Sequence, residues 1–166
     1  MSAPEIFQPS PDNTRPLRDA LGRFATGVTV VTVKSPDGPM GFTANSFASV
    51  SLDPPLVMWC PAKSSKRFAA YTSGAPFAIH VLSADQQHIG NAFAKEPHAF
   101  EGLDWVEAED GTPLLSDPIA RFRCAEHAIY EGGDHVIAVG RVLEVATRPG
   151  EPLLFASGTY GRFTGG

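Results

Sequence analysis

Cysteine is scarce in this sequence. Cys60 and Cys124 are the only two in 166 residues, far apart and with no CxxC spacing. That excludes a disulfide-stapled scaffold and a cysteine-based metal site. Both read as reduced, buried small hydrophobes, which suits a cytoplasmic location. Positive charge is also in deficit, with 13 Lys and Arg against 18 Asp and Glu and a net charge of −5. No basic stripe is visible, so nucleic acid is not the expected partner. No apolar run approaches the roughly 20 residues that cross a bilayer, so no membrane contact is expected. The N-terminal residues carry no apolar core of a secretory signal.

Several chemical signatures are missing too. No GxGxxG follows the first strand-like run, which removes the usual dinucleotide fingerprint. No GxSxG elbow marks a hydrolase. His80, His88, His98 and His127 have no HExxH or HxxxH spacing, so no metal is expected. Asp104 and the acidic run 107–110 read as a solvated loop.

What is present is an ordinary globular composition, 43% apolar and 19% charged. A chain of this length buries about 70% of its unfolded surface, enough for one full core. Residues 1–13, with Pro4, Pro9 and Pro11, read as a flexible arm, and residues 14–166 as one domain. Asp12 or Asn13 is placed to cap a helix whose apolar face is Leu17, Ala20, Leu21 and Phe24, ended by Gly27. The β-branched run 28–33 then reads as a strand, followed by a Ser-Pro-Asp-Gly-Pro turn at 35–39. Further strands are expected over 41–51, 56–60 and 77–82, with helices over 64–72 and 85–94. Residues 96–111 have weak periodicity and read as a long loop. Two late strands, 119–129 and 136–147, flank a hairpin turn at Glu131-Gly132-Gly133-Asp134, and Leu153-Leu154-Phe155 is a last apolar stretch. Many short strands and few helices predict a closed or nearly closed antiparallel barrel.

Three segments could carry chemistry. The strand-like stretch from Gly41 to Val57 is dense in small hydroxyl and amide side chains. Thr43, Asn45 and Ser46 suit the donor and acceptor edge of a flavin ring, or they alternate outward on an exposed strand. Ser64 or Ser65 can cap a helix beside Lys63, Lys66 and Arg67, which suits a phosphate, or these are an ordinary cap and solvated bases. Gly133-Asp134-His135 is either a plain turn or a histidine placed beside a redox ring. Tyr160, among glycines, either stacks on a ring or anchors the chain end.

Taken in order, these segments resemble a known family. Phe24-Ala25-Thr26-Gly27-Val28 leads into the Thr43-Ala44-Asn45-Ser46-Phe47 run and Ser51-Leu52-Asp53-Pro54-Pro55. Lys63-Ser64-Ser65, Gly133-Asp134-His135, Pro152-Leu153-Leu154-Phe155 and Tyr160 follow. The pattern, from about residue 16 to 163, resembles the flavin reductases, reductase components of two-component flavin-dependent monooxygenases. The resemblance implies a mainly β fold, the FMN-binding split barrel, an antiparallel Greek-key-like barrel with a few short helices. It implies an NAD(P)H:flavin oxidoreductase that reduces FMN or FAD with NADH or NADPH and passes reduced flavin to a monooxygenase. A flavoprotein that retains FMN for an organic substrate, or a non-catalytic flavin-binding module, is the alternative. The resemblance also implies a homodimer with flavin near the subunit interface. Gly41, Phe42, Thr43, Asn45, Ser46, Cys60, Pro61 and Ala62 would line the ring and ribityl chain. Ser65, Lys66 and Arg67 would lie near the phosphate, and Phe100 would border the flavin. His135 and Tyr160 would face the nicotinamide, with no side chain needed as acid or base.

Overall fold

The computed structural model describes residues 3–165. Its elements, in chain order, are α1 (Arg15–Leu21), β1 (Thr26–Gly27), β2 (Thr29–Ser35), β3 (Gly38–Ala44), β4 (Ala48–Leu52) and β5 (Pro55–Trp59). Then come α2 (Phe68–Tyr71), β6 (Phe77–Val81), α3 (Gln87–Lys95), β7 (Trp105–Glu107) and β8 (Pro113–Leu115). The long hairpin β9 (Ala120–Gly132) and β10 (His135–Thr147) and the short one β11 (Leu153–Ala156) and β12 (Thr159–Arg162) complete it. Among these residues no helix is long and apolar enough to cross a membrane.

Seven strands form one antiparallel sheet in the order β3-β2-β6-β9-β10-β5-β4. The two edges, β3 and β4, are consecutive in sequence, and only residues 45–47 join them. Four residue steps span at most about 14 Å. The sheet must therefore coil until its edges nearly meet, which makes a barrel with one open seam.

The β-branched run of β2 is continuous because both of its faces are covered. Val31 and Val33 pack with Met40, Trp59, Tyr71 and Ile79 on one side. Val28 and Val30 pack with Leu82, Ile89, Phe93 and Leu153 on the other. His80, fully buried, braces the second side: its Nδ1 donates to Val30 O at 3.0 Å and its Nε2 accepts from Leu115 N–H at 3.0 Å. The second bond leaves Nε2 without a proton, so the ring is neutral, and burial lowers its pKa to about 3.

Several expectations are corrected. The first helix ends at Leu21, not Gly27; Thr14 stands at its N-cap with no side-chain bond, and Thr26–Gly27 is strand β1. The turn is set by a tertiary contact, Ser157 N–H donating to Gly22 O at 2.6 Å. The helix's apolar face does not enter the core, since Leu21 and Phe24 are 65% and 80% exposed. The stretch 41–51 is two strands, because the chain must cross the seam at 45–47. The helix expected over 64–72 is only Phe68–Tyr71, so neither Ser64 nor Ser65 caps it. The supposed loop 96–111 contains β7, paired with β8. The Gly-rich end contains β12, paired with β11 through a tight turn in which Ser157 and Gly158 have φ of 49° and 78°.

Candidate functional site

The seam holds the candidate site. On one lip, β3 is an edge strand. Gly41 turns its peptide away from β2, its N–H donating to Pro97 O at 2.8 Å. The alternation of an antiparallel ladder turns Thr43 the same way, so its peptide N–H and C=O face the cleft. The Thr43 hydroxyl is occupied, donating to Gly90 O at 2.6 Å. On the other lip, Cys60 N–H donates to Ser46 Oγ at 2.9 Å, tying the link 45–47 to the end of β5.

The β9–β10 hairpin closes the third side. Beyond its regular pairing with β5, β10 keeps contact through Val136 N–H donating to Pro61 O at 3.1 Å and a bridge between Ala62 and His135. Lys63 N–H donates to Asp134 O at 2.9 Å. The result is a groove of about 300 Å³ whose lining includes Phe42, Thr43, Asn45, Cys60, Ala62 and His135. Ser46 lines it as well. His135 Nδ1 lies 2.8 Å from Asp134 Oδ1, which leaves Nε2 for the groove. The hydrogen bond with His135, then its charge, holds the Asp134 carboxyl below its usual range. Burial raises the Cys60 thiol above its ordinary value, so it stands in the groove as a neutral SH.

A flavin ring fits this lining. The cleft offers an outward peptide edge at Thr43, an exposed amide at Asn45 and apolar faces at Phe42 and Ala62, with no carboxylate among the lining residues.

The remaining candidates are placed less uniformly. Gly41 packs behind the groove: a Cβ there would stand 2.4 Å from the Phe93 ring. Arg67 is already engaged, its Nη1 donating to Gly41 O at 3.1 Å and Phe93 O at 2.5 Å, with the guanidinium 5.4 Å above the Phe42 ring. Ser65 Oγ accepts from Arg67 N–H at 3.2 Å, and Lys66 is exposed, with no ion pair among the described residues. Phe100 is not brought to the groove; it is buried edge-on to Phe93 at 4.9 Å in the second core. Tyr160, edge-on to Phe155 at 5.1 Å, lines a smaller neighbouring cavity that shares Thr43 and Asn45 with the groove. Arg67's bracing role escaped the sequence, because no local pattern marks a cation that bonds carbonyls of two other elements.

Comparison with known proteins places the chain. The flavin reductase like domain matches residues 21–164. An FMN reductase (NADH) of Agrobacterium fabrum is 52% identical over 159 residues, 96% of this chain and 91% of the relative. The reductase subunit of a flavin-dependent monooxygenase of Rhodococcus jostii is 40% identical, covering 88% of this chain and 76% of the relative. The solved structure of an NADH:FAD oxidoreductase of Streptomyces globisporus superposes with a TM-score of 0.89 at 41% identity, over 99% of this chain and 96% of that one.

Proposed function

We propose that this chain, which belongs to the flavin reductase family and is an NAD(P)H-dependent flavin reductase, uses the seam groove to reduce FMN or FAD and hands the reduced flavin to a partner monooxygenase. The observation that carries this reading is the convergence of the Thr43–Ser46 lip, Cys60–Ala62 and His135 on one groove.

Within that groove each residue has a binding or orienting task. The Thr43 peptide and the Asn45 amide meet the polar edge of the flavin ring. Phe42 and the Cys60–Ala62 segment cover its faces and keep water away. Ser65 and Lys66 attract the phosphate, while Arg67 holds the β3 lip in place. His135, oriented by Asp134, meets the nicotinamide, and Tyr160 borders it from the side. When both rings are bound the reduced nicotinamide gives a hydride to the flavin, so the protein need only align them at about 3–3.5 Å. No side chain is required as acid or base.

The active species is a homodimer joined through the barrel's β4 side. Val50 and Leu52 on that edge strand and Leu143 and Val145 on β10 are all at least half exposed or nearly so, at 50%, 96%, 49% and 52%. Such apolar exposure on an unpaired edge suits a second copy. Light scattering of the parent should give twice the chain mass, and Val50→Asp with Leu52→Asp should halve it; a monomeric parent removes the dimer. Two free cysteines support a reducing, cytoplasmic setting. The exposed residues 3–13 serve as an arm outside the catalytic domain.

Anaerobic stopped-flow absorbance with FMN or FAD and NADH or NADPH, in all pairings, tests the activity. Rapid bleaching of the flavin band is expected, and its rates name the preferred pair. Flavin that binds and stays oxidised with both reductants would leave only a binding module.

A further inference from the structure

The Phe24-Ala25-Thr26-Gly27 motif has no part in the groove. It borders a trough that leaves the groove at Asn45. Asn45 lines three contiguous spaces: the groove, the cavity beside Phe155 and Tyr160, and a third cavity of about 320 Å³ bordered by Arg18, Leu21, Phe24 and Thr26. A fourth, about 540 Å³, continues past Arg18 to Asp19, Arg23 and Gly158.

Three features of the trough point to a ligand. Arg18 and Arg23 are exposed and make no ion pair or side-chain hydrogen bond among the described residues, on a chain of net charge −5. Leu21 and Phe24 present bare apolar surface at 65% and 80% exposure. The Thr26 hydroxyl oxygen is buried and has no partner. The carboxylate at the far end, Asp19, sits 4.0 Å from Arg15 and is offset by it.

Resting on the reductase reading, we propose that this trough binds the ADP half of the nicotinamide dinucleotide, with Arg18 and Arg23 on the diphosphate and Phe24 under the adenine. Guanidinium groups match phosphate oxygens in pairs, and an exposed aromatic face accepts a base by stacking. The flavin's own phosphate end belongs elsewhere. Ser65 and Lys66 directly precede Arg67, whose guanidinium grips the Gly41 carbonyl, and Gly41 lies four residues, roughly 13 Å of strand, from Asn45. An ADP extension on FAD would therefore leave on the side opposite the trough. Arg18 and Arg23 thus act on binding of the reductant and not on hydride transfer.

The test compares NADH with reduced nicotinamide mononucleotide, which has the same reacting ring and no adenylate. In an Arg18→Ala, Arg23→Ala double variant, kcat/KM for NADH should fall about ten- to hundred-fold through KM. The value for the reduced mononucleotide, kcat for both, and Kd for FMN and FAD should stay at parental values. Phe24→Ala should act in the same direction as the arginine pair. Equal losses for NADH and the mononucleotide would overturn the proposal, as would an unchanged KM for NADH. A weakened FAD with unchanged FMN and NADH would assign the trough to the flavin and overturn it equally. A parent that oxidises neither reductant with any flavin would instead bring down the reductase reading beneath it.

Discussion

Arg67→Ala separates a bracing role from a phosphate-binding one. The Arg67 guanidinium spends Nη1 on two backbone carbonyls, Gly41 O at 3.1 Å and Phe93 O at 2.5 Å, and lies 5.4 Å over Phe42. Hydrogen bonds from a charged donor contribute about 1.5–3 kcal/mol each, and cation–π contact about 0.5–1 kcal/mol. Arg67 is only half-buried, so water recovers part of this once the side chain is gone, leaving a loss of about 3 kcal/mol. For a domain of this size each kcal/mol shifts Tm by about 2–4 °C, so Arg67→Ala should melt roughly 6–12 °C below the parent. Arg67→Lys should recover part of the loss, since an ammonium can reach one carbonyl but has no planar face for Phe42. Lys66→Ala, next door and exposed, should melt as the parent does. Calorimetry without flavin is the assay. If Arg67→Ala melts with the parent and loses only FMN affinity, the guanidinium is a phosphate ligand and the bracing argument is wrong.

Three further outcomes are expected. His135→Ala should lower the rate of flavin reduction by at least ten-fold while FMN Kd changes less than two-fold, about 1.4 kcal/mol against less than 0.5; stopped-flow rates and fluorescence titration check this, and an unchanged rate removes His135 from the site. Lys66→Ala should weaken FMN binding at low salt and less so at high salt, because the contact is charge-assisted and exposed; equal parental affinity for FMN and lumiflavin would show that the phosphate contributes nothing. His80 titrates near 3 in the fold against 6.5 when free, so the unfolded chain binds the extra proton as pH falls below about 6.5. Stability from this group is complete above that value and declines by up to about 1.4 kcal/mol per unit down to about 3. Urea midpoints at pH 7.5 and 5 should differ in the parent and differ less in His80→Asn; an equal midpoint difference in the two proteins would exclude His80 as the source.

Most of the strands were legible because their burial is simple. The run 28–33 is β-branched throughout, and both its faces are covered, so propensity and environment agree. The β9–β10 turn is written in Gly133, whose φ of 76° suits glycine. Errors arose where tertiary contact decides. Residues 45–47 break a β-prone stretch only because the sheet has curled and the chain must cross its seam. β7 has three residues, too few for a period to register. The apolar stripe of α1 promised a buried helix, yet the helix faces a trough. Of the site, the Thr43, Asn45 and Ser46 lip and His135 were visible in the motifs. Phe100 was misplaced, because its aromatic partners Phe93 and Trp105 come from distant segments. The Arg18 trough was invisible, since it forms only when Gly22 docks on Ser157.

The three-residue link between β3 and β4 acts as a hinge pin that cannot lengthen. The lips it joins are each stitched into the sheet, β3 along seven pairs with β2 and β4 along four with β5. Widening the slot at its pinned end would mean breaking ladder bonds, so its width there is fixed. On the proposed reading, a flat ring would enter edgewise from the open end, where no ladder bond has to break. The spacing of the lips at the pinned end is then set by the strand ladders and not by any one side chain.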